Sequence, residues 1–569
     1  MNWLRFSLFV AVVAAVGLVA FGLFSRPSVQ GVESDGFSAE RVVMDIDVMS
    51  RDHHSVAHPE ERAEVRNYLV DRLTGLGADT VKLYEYKALR GPENKHVIYD
   101  FDATNILAEF APEGVEAATS LMFVAHYDSR YSQPMPRQDT VWSYGAADDG
   151  YGVGVILEAV AQALKYRAEW KQGVKVLFTD AEEVGMMGMK AMWQENPEEF
   201  DCVGLMINLE ARGPYGPALL FETSPGNERL MQLYSSVADY PFTYSLTTVV
   251  YGFMPNFTDF TIAKDDIPGF NFSTIADINH YHTNLDNFDN VNPRSIQHYG
   301  SQIVPIVREY LTNESYADCD ALKSDDSTIC FTLPALGLFN FSKSGYVILN
   351  VVTFVLFILL FVIDILRGRV QFGRAMRGVL STLLLAIGVL AVGELVAWVS
   401  TLVADAQFKP FGIVQGVVGD NAIMAASTAI IVIVVVMLYL KRRGAAASRT
   451  TNSIRESAAK TMTLQYATNS LYGILALLLL FSVLLLVAIG ENLMFFIPLF
   501  AATVAMILYR ITSLRLWLLV AIALVLLHSL SFLYALTMAL TIGAFGAVLM
   551  LAYLHAKVIV PMADLYMRR

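Results

Sequence analysis

Between about residues 95 and 305 the chain alternates short apolar runs with longer stretches whose apolar residues recur at helical spacing. The runs at 121–125, 174–178, 203–209 and 269–272 predict strands, and those at 151–164, 186–194 and 230–238 predict helices. Alternating strands and helices require crossover connections, so the expected fold is α/β, a mostly parallel sheet flanked by helices. In such a sheet the loops beyond the carboxyl ends of the strands gather along one edge, where ligands bind.

Elsewhere the pattern is different. Residues 6–24 form one apolar span, and seven more follow near 346–366, 379–403, 421–440, 469–489, 492–509, 516–535 and 540–560. A helix of about 20 apolar residues crosses the hydrocarbon core of a bilayer. Arg5 alone precedes the first span and no small-residue cleavage site follows it, so a retained anchor is expected rather than a cleaved signal. The expected layout is an anchor at 1–29, an α/β domain at 30–344 and an all-α seven-span domain at 345–569.

The connections carry charge unevenly. Arg367, Arg369, Arg374 and Arg377 follow the first of the seven spans, Lys441, Arg442 and Arg443 the third, and Arg510 and Arg515 the fifth. Asp405, Asp420 and Glu491 occupy the connections between. Positive charge on every second connection marks the cytoplasmic side. Both termini are then expected in the cytoplasm and the α/β domain in an extracytoplasmic or luminal space.

Composition agrees with this division: 54% of the 569 residues are hydrophobic and only 17% are charged. A formal net charge of -13 with no basic patch in the α/β region argues against nucleic acid as a partner and leaves the lipid bilayer as one. Of the three cysteines, Cys319 and Cys330 either close a short disulfide loop or remain thiols, and Cys202 is expected to be a packed thiol. Asn-x-Ser/Thr occurs at Asn256, Asn271, Asn313 and Asn340, which matters only in a eukaryotic secretory route.

The strand ends carry the chemistry. His126-Tyr127-Asp128 closes one run, Asp148-Asp149-Gly150 opens a small-residue helix, and Asp180-Ala181-Glu182-Glu183 follows another run. Glu210 closes a fourth stretch and His282 lies in Asn279-His280-Tyr281-His282-Thr283. Two imidazoles with several carboxylates are a donor set suited to a pair of Zn²⁺ ions, with a carboxylate between them to offset their repulsion. A further carboxylate beside the cluster is needed to carry a proton from water to a leaving amine. Adjacent glutamates suit the division of labour, one as ligand and the other as base.

In the order His126-x-Asp128, Gly145-Ala146-Ala147-Asp148-Asp149-Gly150, Ala181-Glu182-Glu183-x-Gly185, Asn208-Leu209-Glu210 and Tyr281-His282-Thr283, the chain resembles the M28 family of zinc aminopeptidases. The resemblance is to its membrane-bound branch, that of the vacuolar membrane protease and the endoplasmic reticulum metallopeptidase. It implies that Asp148 bridges two Zn²⁺, with His126 and Glu210 completing one site and Glu183 and His282 the other. It implies Glu182 as general base and Asp128 as the acceptor of the second ring proton of His126. Glutamate at position 210 stands where aspartate is common in such enzymes.

Other residues are less determined. Asp149 is expected to cap or support the helix, and Asp259 and Asp286 either support the site or occupy turns. Arg212 anchors a substrate carboxylate or oxyanion, or forms a structural ion pair. Tyr251 is a candidate oxyanion donor, and Met186, Met187 and Met189 are expected to pack a helix. Hydrolysis of an amino-terminal peptide bond is the leading function. A single-zinc glutaminyl cyclase is one alternative. The other is a peptide-binding receptor or transporter with an inactive domain, in which Glu394 and His528 line a path or pair within the bundle.

Overall fold

The structure, a computed structural model, describes residues 3–22, 27–91, 100–131, 142–252, 257–448 and 455–568, without the side chains of residues 21 and 446–460. Two compact units divide the chain. One comprises Phe24–Thr332 with Leu336–Lys343, and the other Met1–Leu23, Leu333–Ala335 and Ser344–Arg569.

In chain order the elements are α1 (Trp3–Gly22), α2 (Ala39–Met49), α3 (Pro59–Gly75), β1 (Thr80–Leu89), β2 (Phe101–Phe110), β3 (Ser120–His126), α4 (Gly150–Leu164) and β4 (Gly173–Thr179). Then come α5 (Met187–Glu195), β5 (Val203–Ala211), β6 (Leu219–Thr223), α6 (Glu228–Val237), α7 (Ser245–Gly252), α8 (Phe260–Ala263), β7 (Gly269–Thr274), α9 (Pro293–Thr312), β8 (Thr328–Leu333) and β9 (Gly337–Ser342). The seven expected elements are all present with bounds shifted by a residue or two.

Seven strands form one sheet in the order β1-β2-β4-β3-β5-β7-β6. The inner four, β4, β3, β5 and β7, run parallel. Strands β1 and β2 at one edge and β6 at the other pair antiparallel. The sheet is therefore mixed, which corrects the expectation of a mostly parallel one. All seven residues of β3 and all nine of β5 are buried, as continuous apolar runs covered on both faces require. Helix α4 lies in the main core with only its carboxyl end partly exposed, and Asp149 caps its start by accepting from Gly152 N.

The register aligns the strand ends that carry the polar groups. His126 at the end of β3 lies opposite Thr179 at the end of β4. Glu210, near the end of β5, lies opposite Ser273 of β7. Polar side chains beyond these points converge on one sheet edge.

The cysteines pair differently from either expectation. Cys202, just before β5, is bridged to Cys319, with Cα atoms 5.1 Å apart. Cys330 is a buried thiol in the main core, carried on β8. Of the sequons, Asn271 is fully buried in β7, where it hydrogen-bonds to Asn208 and Glu222, so no glycan fits there. Asn256 lies outside the described residues.

The second unit contains α1 with α10 (Lys343–Leu366), α11 (Phe372–Val403), α12 (Asp420–Ser448), α13 (Arg455–Ile489), α14 (Leu493–Thr512), α15 (Leu516–Leu540) and α16 (Phe545–Met567). Among the described residues eight helices are long and apolar enough to cross a membrane, which supports a multi-pass membrane protein. Two buried carboxylates of the bundle are paired: Asp364 with Arg369 and Arg510, and Asp564 with Arg443 and Arg568. Glu394 and His528 are not bonded to each other. Glu394 accepts from Gly546 N at 3.2 Å, and the ring of His528 lies against Phe532 and 6.1 Å from that of His555.

Candidate metal centre

Three loops and two strand ends build the site, and carboxylates fix two of the loops. Asp286 accepts from Ala147 N at 2.7 Å, Asp148 N at 3.3 Å and Ser143 Oγ at 3.0 Å, pinning the segment that leads into α4. Beyond β4 the chain turns sharply, with positive φ at Ala181, Gly185 and Met186. The carboxylate of Asp128 holds this turn, accepting from Glu182 N at 2.9 Å and Glu183 N at 3.3 Å. The nearest acceptor to His126 Nδ1 is the Asp128 carbonyl at 2.9 Å, with the carboxylate at 3.5 Å. Asp128 thus reaches the imidazole chiefly through its backbone and the two glutamates through its side chain.

Asp148 lies between the two imidazoles. His126 Nε2 is 3.5 Å from Asp148 Oδ1 and 3.8 Å from Glu210 Oε2. His282 Nε2 is 3.2 Å from Asp148 Oδ2 and 3.1 Å from Glu183 Oε2. Two groups of donor atoms, each mutually within 4.8 Å, result: His126 with Asp149 and Glu210, and Asp148 with Glu183 and His282. Asp149 therefore caps α4 and also faces the first group. His280 turns aside, its Nδ1 3.4 Å from Asp277.

The charges do not balance within the protein. Burial raises Glu182 well above the usual carboxylate range, against His126, with Glu210 and Glu183 adding to the rise. Glu210 and Asp149 are raised by burial in the same way, again against His126. Burial also dominates at Asp259 and Asp286, which rise to about 6 and about 7. Glu183 alone is lowered, because His282 and Arg130 outweigh its burial. His126 is raised despite burial by Asp128 and Asp148. Buried carboxylates thus outnumber the nearby cations, and Asp149 Oδ2 and Glu183 Oε1 are buried without a hydrogen-bond partner. Such a set fits bound divalent cations, and histidine with carboxylate is a zinc donor set.

Arg212 and Tyr251 both face a cavity of about 190 Å³ that also reaches Asp148, Glu182, Glu183, Glu210 and His282. Among the described residues Arg212 has no carboxylate within ion-pair distance, and its guanidinium lies over the Tyr281 ring at 5.6 Å. Tyr281 in turn stacks on His282. The Tyr251 hydroxyl is buried with no hydrogen-bond partner. Asp259 accepts from Thr179 Oγ1 and stays within the field of Glu182. Met189 is fully buried in the smaller core of this unit, whereas Met186 lines the cavity. Arg130 was not foreseen: its Nη1 lies 3.0 Å from Glu183 Oε2. A lone arginine in a loop follows no period, and only its closeness to His126 in sequence hints at the site.

These features define the class. Residues 105–307 match the model of Peptidase family M28, so the chain carries an M28-family peptidase domain, here with a metallohydrolase-like site. Endoplasmic reticulum metallopeptidase 1 of Mus musculus is 29% identical over 255 residues, 44% of this chain and 27% of that protein. The vacuolar membrane protease of Eremothecium gossypii is 28% identical over 263 residues, 43% of this chain and 24% of that protein. The aligned part therefore spans roughly a quarter of the length of these relatives. Porphyromonas gingivalis glutaminyl cyclase aligns over 49% of this chain and all of its own, at 19% identity and a TM-score of 0.39.

Proposed function

We propose that the protein is a membrane-bound aminopeptidase that holds two Zn²⁺ and hydrolyses the first peptide bond of its substrates. The observation that carries this reading is Asp148, whose two oxygens face His126 and His282 from between two separate donor groups. A single-zinc cyclase needs one such group; here there are two. His126, Asp148 and Glu210 would hold one ion, with Asp149 beside them, and Asp148, Glu183 and His282 the other. Bound there, the ions supply Lewis acidity for the scissile carbonyl and the attacking water.

The chain's own residues supply the rest. Glu182 lines the cavity and, kept high by burial and neighbouring carboxylates, suits a group that takes a proton and gives it back. It would accept the proton of the attacking water and deliver it to the departing amine. Tyr251 Oη, with no other partner, would donate to the developing oxyanion, and Arg212 would orient the substrate backbone. Asp128 would keep Glu182 and Glu183 pointing to their separate tasks. The peptidase domain would lie on the extracytoplasmic or luminal side, a reading supported by the positive charge on every second connection.

The test pairs metal content of the purified full-length protein with release of free amino acid from peptides with free and acetylated amino termini. Two zinc ions per chain, cleavage of free termini only, and a loss of about 10²–10⁴-fold in kcat for Glu182→Gln with metal retained are expected. Pyroglutamate formation from glutamine-first peptides, with one zinc and no release of amino acid, would replace this reading with the cyclase. Metal without turnover would point to a binding domain.

A further inference from the structure

The helical unit contains a second cavity, of about 650 Å³, whose lining is the reverse of the metal centre in charge. Arg374 and Arg377 of α11, Arg442 of α12 and Lys557 of α16 face it, together with Tyr466 and Asn469 of α13, and among the described residues no carboxylate does. Like-charged groups gathered around one space repel unless something between them carries opposite charge.

Among the described residues the helices supply no counter-charge to it. Asp364 is taken by Arg369 and Arg510, and Asp564 by Arg443 and Arg568. Among the described residues none of the four cavity cations forms an ion pair. Arg374 reaches the side-chain oxygen of Gln465, and Arg377 the carbonyl of Gly373.

A separate observation points to the same space. Asn469 is only 4% exposed. Its Oδ1 accepts from Gln371 N at 2.8 Å, which fixes the orientation of the amide. That leaves Nδ2 as a buried donor with no acceptor, on a side chain lining the cavity. Leaving a buried donor unmet is costly, so an acceptor in the cavity is favoured.

We propose that this cavity binds an anionic phosphate group, as found on a lipid headgroup or as free phosphate. Guanidinium forks match phosphate oxygens in pairs, Lys557 adds a point charge, and Asn469 Nδ2 donates to a further oxygen. Basic pockets between membrane helices take phosphate headgroups for these reasons. The volume exceeds that of a phosphate ion and leaves room for glycerol and the start of two acyl chains. The inference is independent of the peptidase reading, since every residue in it belongs to the helical unit.

Native mass spectrometry of the delipidated full-length protein in detergent tests it, with phosphatidic acid, phosphatidylcholine of the same acyl chains and inorganic phosphate as probes. Retention of phosphatidic acid over phosphatidylcholine is expected. Arg442→Gln with Lys557→Gln should weaken it by about tenfold or more, while Lys441→Gln should leave it unchanged. Arg442→Lys with Lys557→Arg keeps the charge and should bind, which separates loss of the site from loss of the fold. Inorganic phosphate that displaces the lipid and is lost in the same double variant would support the site with a soluble ligand. Equal retention of both lipids with no phosphate bound overturns the proposal, and so does an equal loss on Lys441→Gln.

Discussion

Asp128 sets the metal centre by geometry as much as by charge. Its two oxygens each accept from one backbone N–H, those of Glu182 and Glu183. Asp128→Asn turns one oxygen into a donor facing another donor, so the turn must shift. We expect metal affinity to fall about 10–100-fold, read by competition with a chelator, with kcat/KM falling in parallel. Unchanged affinity would mean that the turn is held without it. A second residue gives a pH dependence away from the metals. Burial lowers His298 from 6.5 to about 3. The unfolded chain therefore holds one more proton between those values, and stability falls as pH drops below 6.5, by up to about 1.4 kcal/mol per unit. From pH 7 to pH 5 the wild-type unfolding temperature should drop more steeply than that of His298→Gln; equal slopes would refute the assignment. The sequence motifs made His126, Glu182, Glu183 and Glu210 legible as candidates because each sits at or just past a predicted strand end, Asp148 because it precedes a predicted helix, and His282 only through the Tyr281-His282-Thr283 motif. Arg130 was not, and neither was the place of Asp149 in the first donor group, since both depend on loop conformation.

At the scale of elements, the longer apolar runs inside the sheet were legible, and the strands at its edges were not. Strands β3, β4, β5 and β7 lie inside the sheet, and their apolar runs announce burial on both faces. β1, of sequence TVKLYEYKAL, mixes charges with apolar residues along its exposed edge, and β2 and β6 are joined to the parallel set only by antiparallel pairing. Such pairing is long-range information that a local pattern does not carry, so the mixed sheet was not legible. In the helical unit the spans were legible from length and apolarity, but not how they pack. A Cβ at Gly393 of α11 would meet Gly546 Cα of α16 at 2.6 Å, so these backbones touch. Small residues allow such crossings in membranes, where close packing replaces the hydrophobic drive between helices. Gly393→Val should force α11 from α16 and lower the unfolding temperature in detergent by several degrees, while the same change at Gly388, whose Cβ meets nothing within 4 Å, should not. An equal effect at both positions would refute the crossing as a stabilising contact.

At the scale of the whole molecule, the proposal that the peptidase domain lies outside the cytoplasm rests on two independent features. The positive connections assign the cytoplasmic face by where the chain resists translocation. The Cys202–Cys319 bridge is a chemical argument: it joins residues 117 apart in the domain, and such bonds persist chiefly in oxidising compartments. Because the domain follows α1 and precedes α10, a single crossing on each side fixes its face once the loop after α10 is assigned. The prediction is a labelling pattern. In sealed vesicles of known orientation, a cysteine placed at exposed Glu113 should react with an impermeant maleimide applied from the extracytoplasmic or luminal side. One placed at exposed Arg367, just past α10, should react from that side only after permeabilisation. Both reacting from the same side would break the eight-span count between them, since α10 must then fail to cross. The reverse pattern would keep the count and invert the protein, leaving the bridge to form in a reducing space. The two outcomes are distinct, so the labelling tests the number of crossings and the direction of insertion separately.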